Sequence, residues 1–144
     1  MNIAIVGAAG SCGRQLVAQM LDRRLMPTTA RLQLVGRHGG RSADELGGLR
    51  TDLEDAVVDD SPTIEVVVEP SDVDADLVVM LAGATISTDP NAPVDRAALG
   101  HANLQIFMQY ADTLAARPGP PPMVIVQSNP VELGVRVFAD RLGR

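Results

Sequence analysis

Residues 2–13, NIAIVGAAGSCG, decide how this chain folds. After Asn2 the segment is wholly apolar up to position 6, which is typical of a strand buried on both faces. Gly7, Gly10 and Gly13 follow at intervals of three, and an amphipathic helical pattern begins at once. Glycines allow a tight turn and a close approach of backbone to phosphate, which a helix N-terminus attracts. The segment therefore predicts a strand–turn–helix that holds a pyrophosphate. The predicted contacts come from Gly7, Ala9, Gly10, Ser11, Cys12 and Gly13.

Four more apolar runs alternate with helical patterns along the chain. The predicted strands are residues 2–6, 31–35, 63–68, 75–81 and 123–126, and the predicted helices are residues 12–25, 43–57, 94–116 and 130–142. Alternating strands and helices form a parallel sheet covered on both faces, and right-handed crossovers give the strand order 3-2-1-4-5. We therefore expect one Rossmann-type, doubly wound α/β domain over residues 1–144. A sixth strand of such a sheet is expected beyond the last residue.

Composition excludes several classes of protein. The formal net charge is −6 with no basic block, so no nucleic-acid partner is expected. All 12 basic side chains are arginines, which excludes Schiff-base and phosphate-loop lysines. Apolar runs stay far below the roughly 20 residues of a membrane helix, and a single cysteine suits a reducing compartment. We expect a cytoplasmic protein without a membrane partner. Cys12 is interpreted as a small turn residue rather than a redox sensor, since no second cysteine could resolve it.

The turn after the second strand indicates which dinucleotide is bound. NAD-binding domains usually place an acidic residue there for the ribose 2′-hydroxyl, whereas this chain has Gly36. We expect Gly36 to leave room for a 2′-phosphate, and Arg37 and Arg41 to bind it. NADP is therefore predicted, with NAD as the alternative if these arginines lie in a solvated loop and touch nothing.

Five blocks of the chain resemble successive blocks of the malate/lactate dehydrogenase nucleotide-binding domain. They are GAAGSCGRQLV at 7–17, GLRTDLEDA at 48–56, ADLVVMLAGA at 75–84, DRAALGHAN at 95–103 and SNPVE at 128–132. The stretch GRHGGRS at 36–42 is also similar to archaeal NADP-using members. The resemblance implies the NAD(P)-binding part of an oxidoreductase that acts on a small 2-hydroxy/2-oxo acid. It further implies that the family's catalytic His–Asp pair belongs to a C-terminal domain that this chain does not contain.

The resemblance also implies site residues in the second half of the chain. The implied cofactor contacts are Ala82, Gly83, Asn103, Gln127 and Asn129, and the implied substrate contacts are Arg96 and Asn129. Asn129 follows a predicted buried strand, so it is expected at the carboxyl edge of the sheet, where ligands bind. The alternative for Asn129 is an Asn-Pro pair that initiates a turn and contacts no ligand, and the alternative for Arg96 is an exposed arginine at a helix start.

The loop at 82–93 departs from the family pattern. The family carries two arginines around this loop, but only Arg96 is present, and Asp89 would repel a dicarboxylate. Ordinary malate or lactate turnover is therefore not assured. A non-catalytic dinucleotide-binding paralogue or sensor and an atypical short-chain reductase-like protein stay open, as does a homo-oligomer. His38 and His101 are expected to be solvated or structural. The acidic residues at 72, 74 and 76 are interpreted as a solvated turn, so no metal is expected.

Overall fold

The computed structural model describes residues 1–39, 41–57, 61–85 and 95–143. Its strands are β1 (Ile3–Val6), β2 (Arg31–Val35), β3 (Thr63–Val67), β4 (Leu77–Met80) and β5 (Met123–Val126). Its α-helices are α1 (Ser11–Asp22), α2 (Ser42–Ala56), α3 (Arg96–Ala115) and α4 (Val131–Leu142), and a 3₁₀ turn spans Pro70–Asp72. All strand pairs are parallel, in the order β3-β2-β1-β4-β5. The predicted Rossmann-type fold and its strand order are confirmed.

Helices cover both faces of the sheet because β1 buries side chains on each. Ile3 and Ile5 pack with α1 and α2, and Ala4 and Val6 pack with α3 and α4. The core on the α3 and α4 side of the sheet also contains the chain's two phenylalanines, whose ring centroids lie 6.3 Å apart. The inner strands are covered on both faces, whereas Met123 and Ile125 on the edge strand β5 are exposed, and loops leave the sheet at the strand ends. The loops at those ends carry the residues of interest for function.

Helix ends differ from the predicted ones by a few residues. The first helix was expected to reach Leu25 but ends at Asp22, and Arg24 beyond it has a positive φ of 51°. The long helix begins at Arg96 rather than at residue 94, since the Asp95 carboxylate accepts hydrogen bonds from two backbone N–H groups of its first turn, both at 2.9 Å. A side-chain cap of this kind fixes where a helix starts.

The acidic residues before β4 are held by partners at the amino edge of the sheet. The Asp74 carboxylate pairs with Arg31 at 2.6 Å and with Arg117 at 2.5 Å, and Asp76 accepts a hydrogen bond from the Asn2 N–H at 2.7 Å. The hydrogen bond from Arg31 lowers the pKa of Asp74. The described residues contain no group of three metal-ligating side chains, and none of their helices could span a membrane.

Candidate functional site

The turn between β1 and α1 is compressed against its neighbours. Gly7 has a φ of 93°, and a β-carbon there would lie 2.7 Å from the backbone nitrogen of Ala82, just after β4. A β-carbon on Gly13 would lie 2.6 Å from the α-carbon of Ala8. Both contacts are too short for any side chain, so glycine is required at each position. This packing brings the start of α1 directly beneath the turn.

Gly10 faces solvent. A β-carbon there would meet only the Gly7 carbonyl oxygen, at 3.3 Å, and its φ of −71° suits any residue. Gly10, Ser11 and Cys12 are exposed, and no side chain caps α1, whose first turn contains no acid. The first N–H groups of an α-helix have no partner within the helix and carry partial positive charge. The turn therefore presents donors to an anion without a competing carboxylate.

The turn after β2 packs against the start of α2. Gly36 is buried, and a β-carbon there would lie 2.6 Å from both the Ser42 hydroxyl oxygen and a methyl carbon of Leu46. A side chain at this position would therefore collide with α2, and room for a 2′-phosphate beside Gly36 stays a prediction. Ser42 also accepts a long hydrogen bond of 3.4 Å from the Arg37 N–H. Arg37 and Arg41 are both exposed.

Sequence reasoning missed two polar groups of this loop. Ser42 could have been found as a hydroxyl residue at the start of a helix. The second group is the pair His38–Glu69, whose Nδ1 and Oε1 atoms lie 2.6 Å apart while both side chains stay exposed. Glu69 follows β3, the strand beside β2, so only the strand order brings it to His38. His101 is exposed on α3, as expected.

Asn103 joins the loops after β4 and β5. Its side chain is fully buried, and its oxygen accepts a hydrogen bond from the Ala84 N–H at 2.6 Å. Its amide nitrogen donates to the carbonyl oxygens of Ala84, at 3.1 Å, and Asn129, at 2.5 Å. A β-carbon on Gly83 would lie 3.0 Å from this amide. Asn103 is thus a structural clamp in this conformation, and its contact with a cofactor stays a prediction.

The ends of β4 and β5 are also tied together by Ser128. Its hydroxyl oxygen lies 3.0 Å from the Met80 carbonyl oxygen and 2.7 Å from that of Ala82. Gln127 and Asn129 on either side of it are exposed at the carboxyl edge. The Met80 carbonyl also accepts the backbone N–H groups of Gln127 and Ser128, at 3.0 and 3.1 Å. The two strand ends form one rigid platform next to the glycine turn.

The predicted substrate side is described only in part. Arg96 is exposed in the first turn of α3, and the Asn129–Pro130 peptide bond is cis. Asp89 and the rest of residues 86–94 lie outside the described residues. Arg96 lies at the start of α3 and Asn129 in the turn between β5 and α4, and their contact with a substrate stays a prediction.

The family model for the NAD binding domain of lactate/malate dehydrogenase matches residues 1–143. The chain belongs to this family. The family resemblance expected from the five sequence blocks is thereby confirmed. No curated protein matches the chain.

Solved structures of this lactate/malate dehydrogenase family share the fold. Malate dehydrogenase from Naegleria fowleri is 19% identical with a TM-score of 0.82, and the match covers 99% of this chain and 43% of that one. Trichomonas vaginalis lactate dehydrogenase in complex with NADH and oxamate is 22% identical with a TM-score of 0.80, covering 98% and 43%. Malate dehydrogenase from Aeropyrum pernix is 22% identical with a TM-score of 0.75, covering 99% and 42%. This NAD-binding-domain chain thus spans less than half the length of these proteins.

Proposed function

We propose that this chain is the dinucleotide-binding part of an oxidoreductase that acts on a 2-hydroxy/2-oxo acid. The observation that carries the proposal is the exposed, uncapped start of α1 beneath the turn of Gly7, Gly10 and Gly13, in a chain of this family. Backbone N–H groups there would bind the pyrophosphate. The nicotinamide supplies the hydride when bound, while the protein positions it.

The residues at the ends of β4 and β5 fit the nicotinamide half of the cofactor. Gly83, Gln127 and Asn129 are exposed at the same edge as the glycine turn, and Ala82 contacts that turn directly. The clamp of Asn103 and Ser128 beneath them fixes their backbone before any ligand arrives. Preorganised backbone of this kind lowers the entropy lost on binding.

We further propose that NADP is preferred over NAD. The position after β2 has no carboxylate, the Ser42 hydroxyl lies beside it, and Arg37 and Arg41 belong to the exposed loop that follows. A phosphate monoester carries about 1.5 to 2 negative charges at neutral pH. Each charge-assisted hydrogen bond to it contributes roughly 1.5–3 kcal/mol, so NADP should bind at least about tenfold more tightly.

Calorimetric titration of NADP and NAD into the wild type, Arg37→Ala and Arg50→Ala tests the cofactor preference. Arg50 is the control, because it is an exposed arginine on α2 that pairs with Glu54. Arg37→Ala should weaken NADP binding by about tenfold and change NAD binding by less than about twofold. Arg50→Ala should change neither. Equal affinities of the wild type for both cofactors, or full NADP affinity in Arg37→Ala, would refute the preference.

For the substrate we propose that Arg96 and Asn129 bind the carboxylate and the oxygen of a small 2-oxo acid. One observation favours the sensor alternative: no basic residue occurs at 82–93, and Asp89 adds an acid. Reduction of oxaloacetate and pyruvate by the 144-residue chain with NADPH tests whether the chain carries catalytic groups of its own. We expect cofactor binding without turnover at the ordinary rate of around 10 per second. Turnover at that rate would show that this chain holds the acid–base groups itself.

A further inference from the structure

Glu45 lies between two parts of the proposed cofactor site. It sits in the first turn of α2, where its backbone N–H donates to the Arg41 carbonyl oxygen at 2.9 Å. Its Oε1 lies 3.7 Å from Nε of Arg41, and its Oε2 lies 3.7 Å from Nη2 of Arg14. Arg14 in turn donates from Nε to the Ala9 carbonyl oxygen of the glycine turn, at 2.9 Å. One carboxylate therefore faces an arginine of the loop after β2 and an arginine of α1 that is bonded to the glycine turn.

We propose that Glu45 sets the cofactor preference by competing with the 2′-phosphate for Arg41. The inference rests on the proposed role of Arg41 in NADP binding. A phosphate that reaches Arg41 comes close to Glu45, because the two side chains are within 3.7 Å of each other. Like charges at such separations repel even in a largely aqueous environment. Glu45 thus holds NADP affinity below the value that the arginines alone would give. NAD has no 2′-phosphate, so its affinity is unaffected.

The weakness of the ion pair is what makes the competition work. The Arg41 side chain is 92% exposed and that of Glu45 is 40% exposed, so Arg41 can turn from the carboxylate to an incoming phosphate at little cost. Glu45 stays behind, since its helix fixes the backbone. Its pair with Arg14, also at 3.7 Å and solvent-exposed, offsets only part of the charge that the carboxylate presents to the bound phosphate.

The His38–Glu69 ion pair of this loop does not include Glu45. Glu69, which follows β3, pairs with His38 at 2.6 Å, whereas Glu45 on α2 pairs with Arg41 and Arg14. Removing Glu45 therefore changes the environment of Arg41 and leaves the His38–Glu69 pair in place. This separation permits a selective test.

The decisive experiment compares Glu45→Gln with Glu54→Gln by calorimetric titration of NADP and NAD. Glu54 is a matched control because it forms the same i, i+4 pair with Arg50 on the same helix, at 3.8 Å. Glu45→Gln should tighten NADP binding about threefold to tenfold. The gain should shrink at 1 M salt, because the Debye screening length falls to about 3 Å there. NAD affinity should change by less than about twofold, and Glu54→Gln should leave both unchanged.

A double variant shows whether the effect passes through Arg41. In an Arg41→Ala background, adding Glu45→Gln should change the affinities for NADP and NAD by the same factor, to within about twofold. An equal gain for NAD and NADP, or no gain over Glu54→Gln, would overturn the inference. Failure of the proposed NADP preference would be seen in other measurements. The wild type would then bind NAD as tightly as NADP, and Arg37→Ala would bind NADP with unchanged affinity. A selective gain for NADP in Glu45→Gln would support the competition even then.

Discussion

Replacing Asn103 by leucine should loosen the loops after β4 and β5 together. The buried amide makes three hydrogen bonds to the backbone of Ala84 and Asn129. Leucine has a similar volume but no polar atom, so one N–H and two carbonyl groups would lose their partners. Among the described residues, Asn103 joins the two loops beyond the strand ends, so we expect them to move apart enough to admit water.

The size of the effect follows from those three groups. An unsatisfied buried polar group costs about 1–3 kcal/mol, and the lower figure applies here because Ala84 and Asn129 are exposed residues that water can reach. The expected loss is therefore about 3 kcal/mol of unfolding free energy, or a fall in Tm of about 10 °C. Against a total of about 5–15 kcal/mol, this loss is large but leaves the protein folded.

Urea unfolding followed by circular dichroism measures the loss, with Gln105→Leu as the control. Gln105 is an exposed amide on the same helix, so its replacement should change the unfolding free energy by less than about 0.5 kcal/mol. Asn103→Leu should also weaken dinucleotide binding, since the nicotinamide side of the site would no longer be held in place. Stability within about 0.5 kcal/mol of the wild type would refute the clamp.

Two further predictions concern titratable groups. Because the hydrogen bond from Arg31 lowers the pKa of Asp74, the ionised carboxylate stabilises the fold above the ordinary aspartate range, and this stabilisation is lost as pH falls through the lowered pKa. Asp74→Asn should therefore cost less than about 1 kcal/mol in urea unfolding at pH 7, and the cost should shrink as the pH is lowered below the ordinary aspartate range; a cost that does not change with pH would contradict the pair. Burial raises the pKa of Tyr110 to about 12, so the folded state loses stability as pH rises from about 10 towards that value. Since the chain has one tyrosine and no tryptophan, absorbance at about 295 nm should titrate near pH 12 when folded and near 10 in urea; a midpoint near 10 in the folded protein would refute the burial effect.

Local patterns were sufficient to predict the sheet and the glycine turn. The strands read as apolar runs because a parallel sheet buries both faces, and the glycine spacing at 7–13 is set by contacts within one strand–turn–helix unit. The start of α3 was predicted two residues early although Asp95 signals it, since its side chain caps the first turn.

Contacts between distant residues could not be predicted. The neighbours of Gly36 are one example, because what a glycine packs against depends on how α2 lies on β2, here through Leu46. The hydrogen bonds of Asn103 to other loops were not predicted. The partners of its amide lie 19 and 26 residues away in the chain, and a single sequence gives no signal for contacts at that separation. The His38–Glu69 pair likewise exists because β2 and β3 are neighbours in the sheet.

The central claim is that the turn at Gly10 binds a dinucleotide's pyrophosphate, and the affinity of Gly10→Asp for NADP tests it most directly. A side chain is tolerated there by the fold, but its carboxylate would repel the phosphates at short range. Gly48→Asp on α2 is the control, because a β-carbon there meets nothing within 4 Å. We predict that calorimetry detects no NADP binding to Gly10→Asp, that Gly48→Asp binds like the wild type, and that both variants give wild-type circular dichroism. A folded Gly10→Asp that binds NADP with wild-type affinity would contradict the claim.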